Sequence, residues 1–202
     1  MGERIAVLVS GSGTNLQALL DHPICGPRIA LVLSDRPEIG ALERAEARGV
    51  ETAVVEPDAF DDRGAFDHAV ADTLRAHGID VVVTAGYLRL LGPAVLNAYG
   101  GRILNVHPSL LPAFPGMHAV ADALEHGAKV TGVTVFVVDA GVDTGPIVLQ
   151  EAIGIREDDD RDSLEARVHE VEHRLLPEAT AALVEGRLHV DGRRVTIEAG
   201  PR

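Results

Sequence analysis

Four short apolar runs, each followed by a segment of helical pattern, constrain this fold more than any other feature of the chain. The runs cover residues 4–9, 29–33, 52–55 and 80–84. Helical periodicity fills the gaps at 14–21, 41–48 and 63–77. In the last of these Phe66, Val70 and Leu74 share one face, and Gly49 and Gly78 stand where a left-handed residue ends a helix. Strands this rich in apolar residues suit a parallel sheet covered by helices, and repeated strand–helix units return to the same sheet by right-handed crossovers. The expected class is therefore α/β: a Rossmann-like, doubly wound, mostly parallel sheet with helices on both faces. Such sheets bind their ligands at the carboxyl ends of the strands.

The second half of the chain reads differently. A short helix ends at 96–99, a strand follows at 102–106 and a helix at 118–126. Two longer extended runs, 130–138 and 146–155, are separated by the turn-rich segment 139–145, which is too long for a tight hairpin and leaves the direction of pairing open. A long amphipathic helix is expected over 163–185 with Ser163 as its N-cap, then a hairpin over 188–197 turning at Asp191-Gly192. The tail from Glu198 is expected to fray. With 202 residues and no repeat, linker or low-complexity segment, the chain reads as one domain, 1–202, of two halves, about 1–100 and 101–202.

Composition narrows the function. A formal net charge of −13 gives the chain no field for nucleic acid, so an anionic ligand needs a local site. Lys129 is the only lysine, which argues against lysine Schiff-base chemistry and leaves no Gly-Lys-Ser/Thr phosphate loop. Cys25 is the single cysteine and reads as a core filler, so neither an internal disulfide nor a cysteine metal cluster is expected. No apolar run approaches ~18 residues and no signal pattern opens the chain, which sets the expectation of a cytoplasmic protein without membrane or nucleic-acid partners.

Three places carry chemistry. Gly11, Ser12, Gly13, Thr14 and Asn15 follow the first strand and open the first helix, so their backbone N–H groups can face an anion. The third glycine of a dinucleotide fingerprint is missing, so a monophosphate fits better; a tight turn capped by Ser12 or Thr14 is the competing account. Asn105 and His107 are two apart at the end of a strand and point to one side, an amide donor beside a proton-transfer group. Asp143 lies in the glycine-rich loop 139–145. Near His107 it would favour the imidazolium and order a water, although a plain turn aspartate has the same sequence signature. His169 and His173 are spaced i, i+4 on the long helix, and a solvated helix face is the preferred reading over a metal pair.

Four segments together resemble one family. Residues 11–19 (GSGTNLQAL) look like the opening motif of the glycinamide ribonucleotide formyltransferases, and 85–91 (AGYLRLL) resembles their folate loop. Residues 105–116 (NVHPSLLPAFPG) resemble the catalytic-strand motif of formyl-folate transferases generally, and 139–150 (DAGVDTGPIVLQ) their aspartate loop. The order is that of the family, and the likeness runs from about Arg4 to Leu188. The resemblance implies the formyltransferase fold and transfer of a formyl group from 10-formyltetrahydrofolate, a cosubstrate, to the amine of glycinamide ribonucleotide, with no metal. It implies Asn105 as oxyanion stabiliser, His107 as proton donor and Asp143 as its partner. The ribonucleotide would lie on Gly11, Ser12, Gly13, Thr14, Asn15 and Glu172, and the folate on Arg63, Leu88, Arg89, Leu90, Leu91 and Asn105. The chain departs from the pattern at Val120 and Ala121, where relatives carry His and Arg, and at Phe136, where many carry His. His118 is kept and reads as structural.

Other readings stay in view. A 10-formyltetrahydrofolate hydrolase resembles the same core with water as acceptor. Enzymes of that kind carry an extra N-terminal regulatory domain, and this chain starts almost at strand one. A methionyl-tRNA formyltransferase would need a basic tRNA-binding domain. A non-catalytic nucleotide binder would not need Asn105, His107 and Asp143 together. A nicotinamide dehydrogenase lacks half its fingerprint, although Asp35 follows strand two where an adenosine-ribose acid could stand. Monomer or homodimer is left open.

Overall fold

A computed structural model describes residues 2–200. In chain order the elements are β1 (Ile5–Val9), α1 (Thr14–Asp21), β2 (Ile29–Ser34), α2 (Gly40–Ala47), β3 (Glu51–Val54), α3 (Arg63–Ala76), β4 (Val81–Thr84), α4 (Pro93–Tyr99), β5 (Ile103–His107), α5 (Ala119–Glu125), β6 (Val130–Val137), β7 (Ile147–Gly154), α6 (Arg161–Val184), β8 (Leu188–Asp191) and β9 (Arg194–Ile197). Seven strands from both halves share one sheet in the order β3-β2-β1-β4-β5-β6-β7. The first five are parallel, and β6 and β7 each run antiparallel to the strand before them. The pairing that loop length left open is thus antiparallel. The strand order turns back between β1 and β4, which opens a crevice at their carboxyl ends.

Alternation along β1 explains its unbroken apolar run. Ile5, Val7 and Val9 pack with Leu16 and Leu19 of α1 and Leu176 of α6 on one face; Ala6 and Leu8 pack with Phe66, Val70 and Leu74 of α3 and Val95 of α4 on the other. Two buried faces need apolar side chains at every position.

Local chemistry corrects two expectations. The cap of α6 is Asp160, whose carboxylate accepts from the Ser163 N–H (2.8 Å), while Ser163 Oγ accepts from the Asp160 N–H (3.1 Å). Ser163 is the third residue of a reciprocal capping box, so the helix begins earlier than its serine suggested. The tail is still held at Glu198, whose N–H donates to the Arg187 carbonyl while Arg187 Nη1 donates back to the Glu198 carbonyl, both at 2.9 Å; residues 201–202 of the tail lie outside the described residues. No described helix is long and apolar enough to cross a membrane.

Candidate active site

Asn105 and His107 end β5 and face a cavity of about 450 Å³ beside the sheet's turning point. The Thr84 hydroxyl, from the neighbouring strand, donates to Asn105 Oδ1 at 2.8 Å. The amide carbonyl is thereby occupied, and the –NH2 end remains as a donor for the cavity.

His107 is 4% exposed. Its Nδ1 lies 3.5 Å from Asp143 Oδ2, and its Nε2 lies 2.8 Å from the Phe114 carbonyl oxygen. Both ring nitrogens therefore face oxygen acceptors. A neutral imidazole has one N–H and satisfies one of them; the imidazolium satisfies both. Phe114 (φ 49°) and Asp143 (φ 53°) both hold left-handed backbone, uncommon for residues with side chains and found where a site over-determines the chain. Asp143 Oδ2 also accepts the Gly116 N–H at 2.8 Å, so the carboxylate is pinned between the loop after β5 and the ring.

The loop after β5 is braced from behind by groups that sequence reading did not single out. The Thr134 hydroxyl donates to the Ser109 carbonyl (2.7 Å), the Leu111 N–H donates to Thr134 Oγ1 (3.1 Å), and Gln150 Nε2 donates to the Leu111 carbonyl (2.9 Å). Polar residues at buried positions of β6 and in β7 were the available signal, as was Thr84 at the end of a valine run.

The cavity is also lined by Asn15, whose Nδ2 donates to Glu172 Oε2 at 2.9 Å, a contact between residues 157 apart in the chain. His169 Nδ1 approaches the same oxygen at 2.9 Å, and this hydrogen bond, the main cause, raises the histidine above its ordinary value. Burial, then the neighbouring His169, lowers His173. The two rings stack 5.9 Å apart, but His169 and Glu172 line the cavity, so this helix turn is part of the site and not a plain solvated face. Among the described residues no group of three or more His, Cys, Asp or Glu is placed to hold a metal ion.

The glycine loop presents the start of α1. The N-cap is Gly13 (φ 76°) with no side-chain cap, and the first turn has no acidic residue, so neither Ser12 nor Thr14 caps the helix. A Cβ on Gly13 would stand 2.7 Å from Ala41 Cα, so helix packing demands this glycine as firmly as any ligand does. Asn15 lines the cavity; Gly11, Ser12, Gly13 and Thr14 do not.

The opposite wall is the loop between β4 and α4. Leu88, Arg89, Leu90 and Leu91 line the cavity, with Leu88 and Leu90 exposed. Arg63 stands apart from them. It lines an adjoining hollow of about 390 Å³ shared with Leu88, Arg89 and Leu90, and its Nη2 donates to the Leu90 carbonyl at 3.2 Å. Asp67 accepts the N–H groups of Gly92 (2.7 Å) and Ala94 (2.6 Å) and fixes the loop's far end. Of the departing positions, Val120 is buried in the core, Ala121 is partly buried, and Phe136 lines the cavity. His118 is exposed and outside it.

Comparison with known proteins identifies the family and the fold. Residues 3–180 match the family model described as Formyl transferase. The phosphoribosylglycinamide formyltransferase of Bacillus subtilis is 42% identical over 185 residues, covering 90% of this chain and 95% of that protein. The enzyme of the same name from Mycobacterium tuberculosis is 46% identical over 202 residues, covering 96% and 94%. The crystal structure of glycinamide ribonucleotide transformylase 1 from Symbiobacterium toebii superposes with a TM-score of 0.94 at 52% identity, over 97% of this chain and 94% of that one.

Proposed function

The chain belongs to the formyl transferase family, and on that premise we propose that it moves the formyl group of 10-formyltetrahydrofolate to the amine of N1-(5-phosphoribosyl)glycinamide. The products are the formylglycinamide ribonucleotide and tetrahydrofolate, the third step of purine synthesis. The observation that carries the reading is the convergence on one cavity of Asn105, His107 and Asp143 with the Asn15–Glu172 pair.

The neutral substrate amine attacks the formyl carbon. The new C–N bond forms as the carbonyl oxygen takes up negative charge, and the bond to the folate nitrogen then breaks. Asn105 –NH2 donates to that oxygen, held in the donating orientation by Thr84. His107, with Asp143 3.5 Å from its Nδ1, is the proton donor. One proton leaves the attacking amine and one reaches the departing folate nitrogen, through a water ordered by Asp143. No covalent bond to the protein is needed.

The uncapped start of α1, with Gly11, Ser12, Gly13, Thr14 and Asn15, takes the ribonucleotide's phosphate, because unpaired N–H groups and the helix dipole favour an anion there. Glu172 accepts from the ribose hydroxyls beside Asn15, whose Oδ1 has no protein partner. The folate ring fits between Phe136 and the loop Leu88–Leu91, with Asn105 at its reacting end and Arg63 in the adjoining hollow toward its acidic tail. Contacts such as Asn15–Glu172 and Thr84–Asn105 cross the two halves of the chain and support a reading of one domain that acts on small-molecule substrates.

A hydrolase would have no use for the Asn15–Glu172 pair in the cavity. Purified protein mixed with 10-formyltetrahydrofolate, with and without the ribonucleotide, separates the two: loss of formyl folate that requires the ribonucleotide, with the formylated product seen by mass, supports transfer. Equal loss without it would make water the acceptor and remove the roles of Asn15 and Glu172.

A further inference from the structure

We propose that Asp35 is a positioning residue that, through Arg89, holds the folate-facing loop in the shape that binds the folate. The proposal rests on the transfer reading above. Asp35 follows β2 and is 2% exposed, yet it lies outside the catalytic set. A carboxylate so enclosed persists only if its charge is matched. Its Oδ2 accepts from Arg89 Nε at 2.9 Å and its Oδ1 from Arg36 Nε at 3.3 Å. Burial works against the charge, but hydrogen bonds from Ser10, Arg36 and Arg89 together outweigh it and hold the carboxyl below the usual range.

Two of those partners hold the folate-facing loop. Arg89 belongs to the Leu88–Leu91 loop, which lines the cavity. Ser10 is the residue just before Gly11; its Oγ accepts the Leu88 N–H at 3.0 Å, and its own N–H donates to the Gly86 carbonyl at 3.1 Å. The folate-facing loop is therefore held at Gly86 and Leu88 by Ser10, and at Arg89 by Asp35. The acid that, in a dinucleotide-binding sheet, would be open to a ribose is here committed to arginine. Without its carboxylate, Arg89 is free to swing, and the loop no longer holds one shape against the folate.

The test uses the whole chain with Asp35→Asn, Arg89→Met and the double substitution, measuring kcat, the KM for each substrate, and the calorimetric Kd for tetrahydrofolate. Loss of a charge-assisted hydrogen bond at a buried carboxylate is expected to raise the folate KM and Kd of Asp35→Asn roughly tenfold. The KM for the ribonucleotide and kcat should stay within about twofold, because the ties released all belong to the folate side. The double variant should be no worse than the worse single one, since both remove the same tie. A folate KM and Kd unchanged in Asp35→Asn, equal increases for both substrates, or fully additive effects would each overturn the proposal. Ser10→Ala, which removes the tie to Leu88 without disturbing a charge, is expected to raise the same two constants by roughly fivefold. If Asp35→Asn does not fold, Ser10→Ala and Arg89→Met decide: no rise in either would sink the idea. A wild-type protein that binds tetrahydrofolate but never formylates the ribonucleotide would refute the transfer reading instead, and the Kd series would still decide the role of Asp35.

Discussion

The two walls of the cavity are held in different ways. The end of β5 is part of the sheet, its residues 104–107 paired to β6, and its side chains are fixed by groups on the adjacent strand and loops: Thr84 on Asn105, Asp143 and Phe114 on His107. The facing loop 86–91 has no strand partner. It hangs from Ser10, Asp35 and Arg63, with Asp67 just beyond its end, and it leaves Leu88 and Leu90 exposed. A sheet end gives the placement to about half an ångström that reacting groups need, whereas a loop tied at a few points offers exposed apolar side chains to a bound ring. The division assigns rate to the strand and affinity to the loop.

Substitutions can break that division. Asn105→Ala should cost about 10²–10³ in kcat, the usual effect of removing one oxyanion donor, with both KM values nearly unchanged; steady-state kinetics with each substrate varied in turn would show it. A large rise in folate KM instead would put Asn105 in binding. A smaller effect is expected one shell out. Thr84→Val removes the hydroxyl that orients the Asn105 amide and should lower kcat roughly fivefold, with Thr84→Ser restoring it; no recovery with serine would mean that packing, not the hydrogen bond, was lost. The smallest effect lies at the ribonucleotide end. The Glu172 hydrogen bond raises His169, so the stabilisation from that pair is complete below the ordinary histidine value and is lost as pH rises through the raised one. His169→Gln should therefore lower Tm by about 2 °C or less at about pH 5.5 and by nothing measurable at about pH 8.5, followed by thermal melts at both. An equal loss at both would mean that the imidazole's packing, not its charge, matters there.

The same contrast decides what the sequence revealed. Apolar runs such as 81–83 show their strands because burial on two faces leaves no other composition, and the two-residue spacing of Asn105 and His107 fixes their common direction once the strand is known. Contacts between distant segments leave no such mark. Asp143 meets His107 across 36 positions, and its left-handed backbone is not written in the Val-Asp-Thr around it. Gly13 shows the opposite difficulty: the glycine is evident, but its neighbour Ala41, 28 residues later, supplies a packing reason that a loop motif cannot reveal. Asp35 suggested a ribose acid because its place after β2 suits one, and only the approach of Arg89, 54 residues on, shows what the carboxylate holds. Ser163 marked the start of α6 to within two residues, yet the capping carboxylate is Asp160, because a reciprocal box puts a side-chain oxygen at both positions.

The central claim is that chemistry resides at the end of β5. The most direct measurement is the turnover of His107→Ala with both substrates saturating, beside its Kd for tetrahydrofolate. Loss of the proton donor should reduce kcat by about 10²–10⁴ while Kd stays near the wild-type value. A variant that kept nearly full turnover would contradict the account and move the proton transfer to another group.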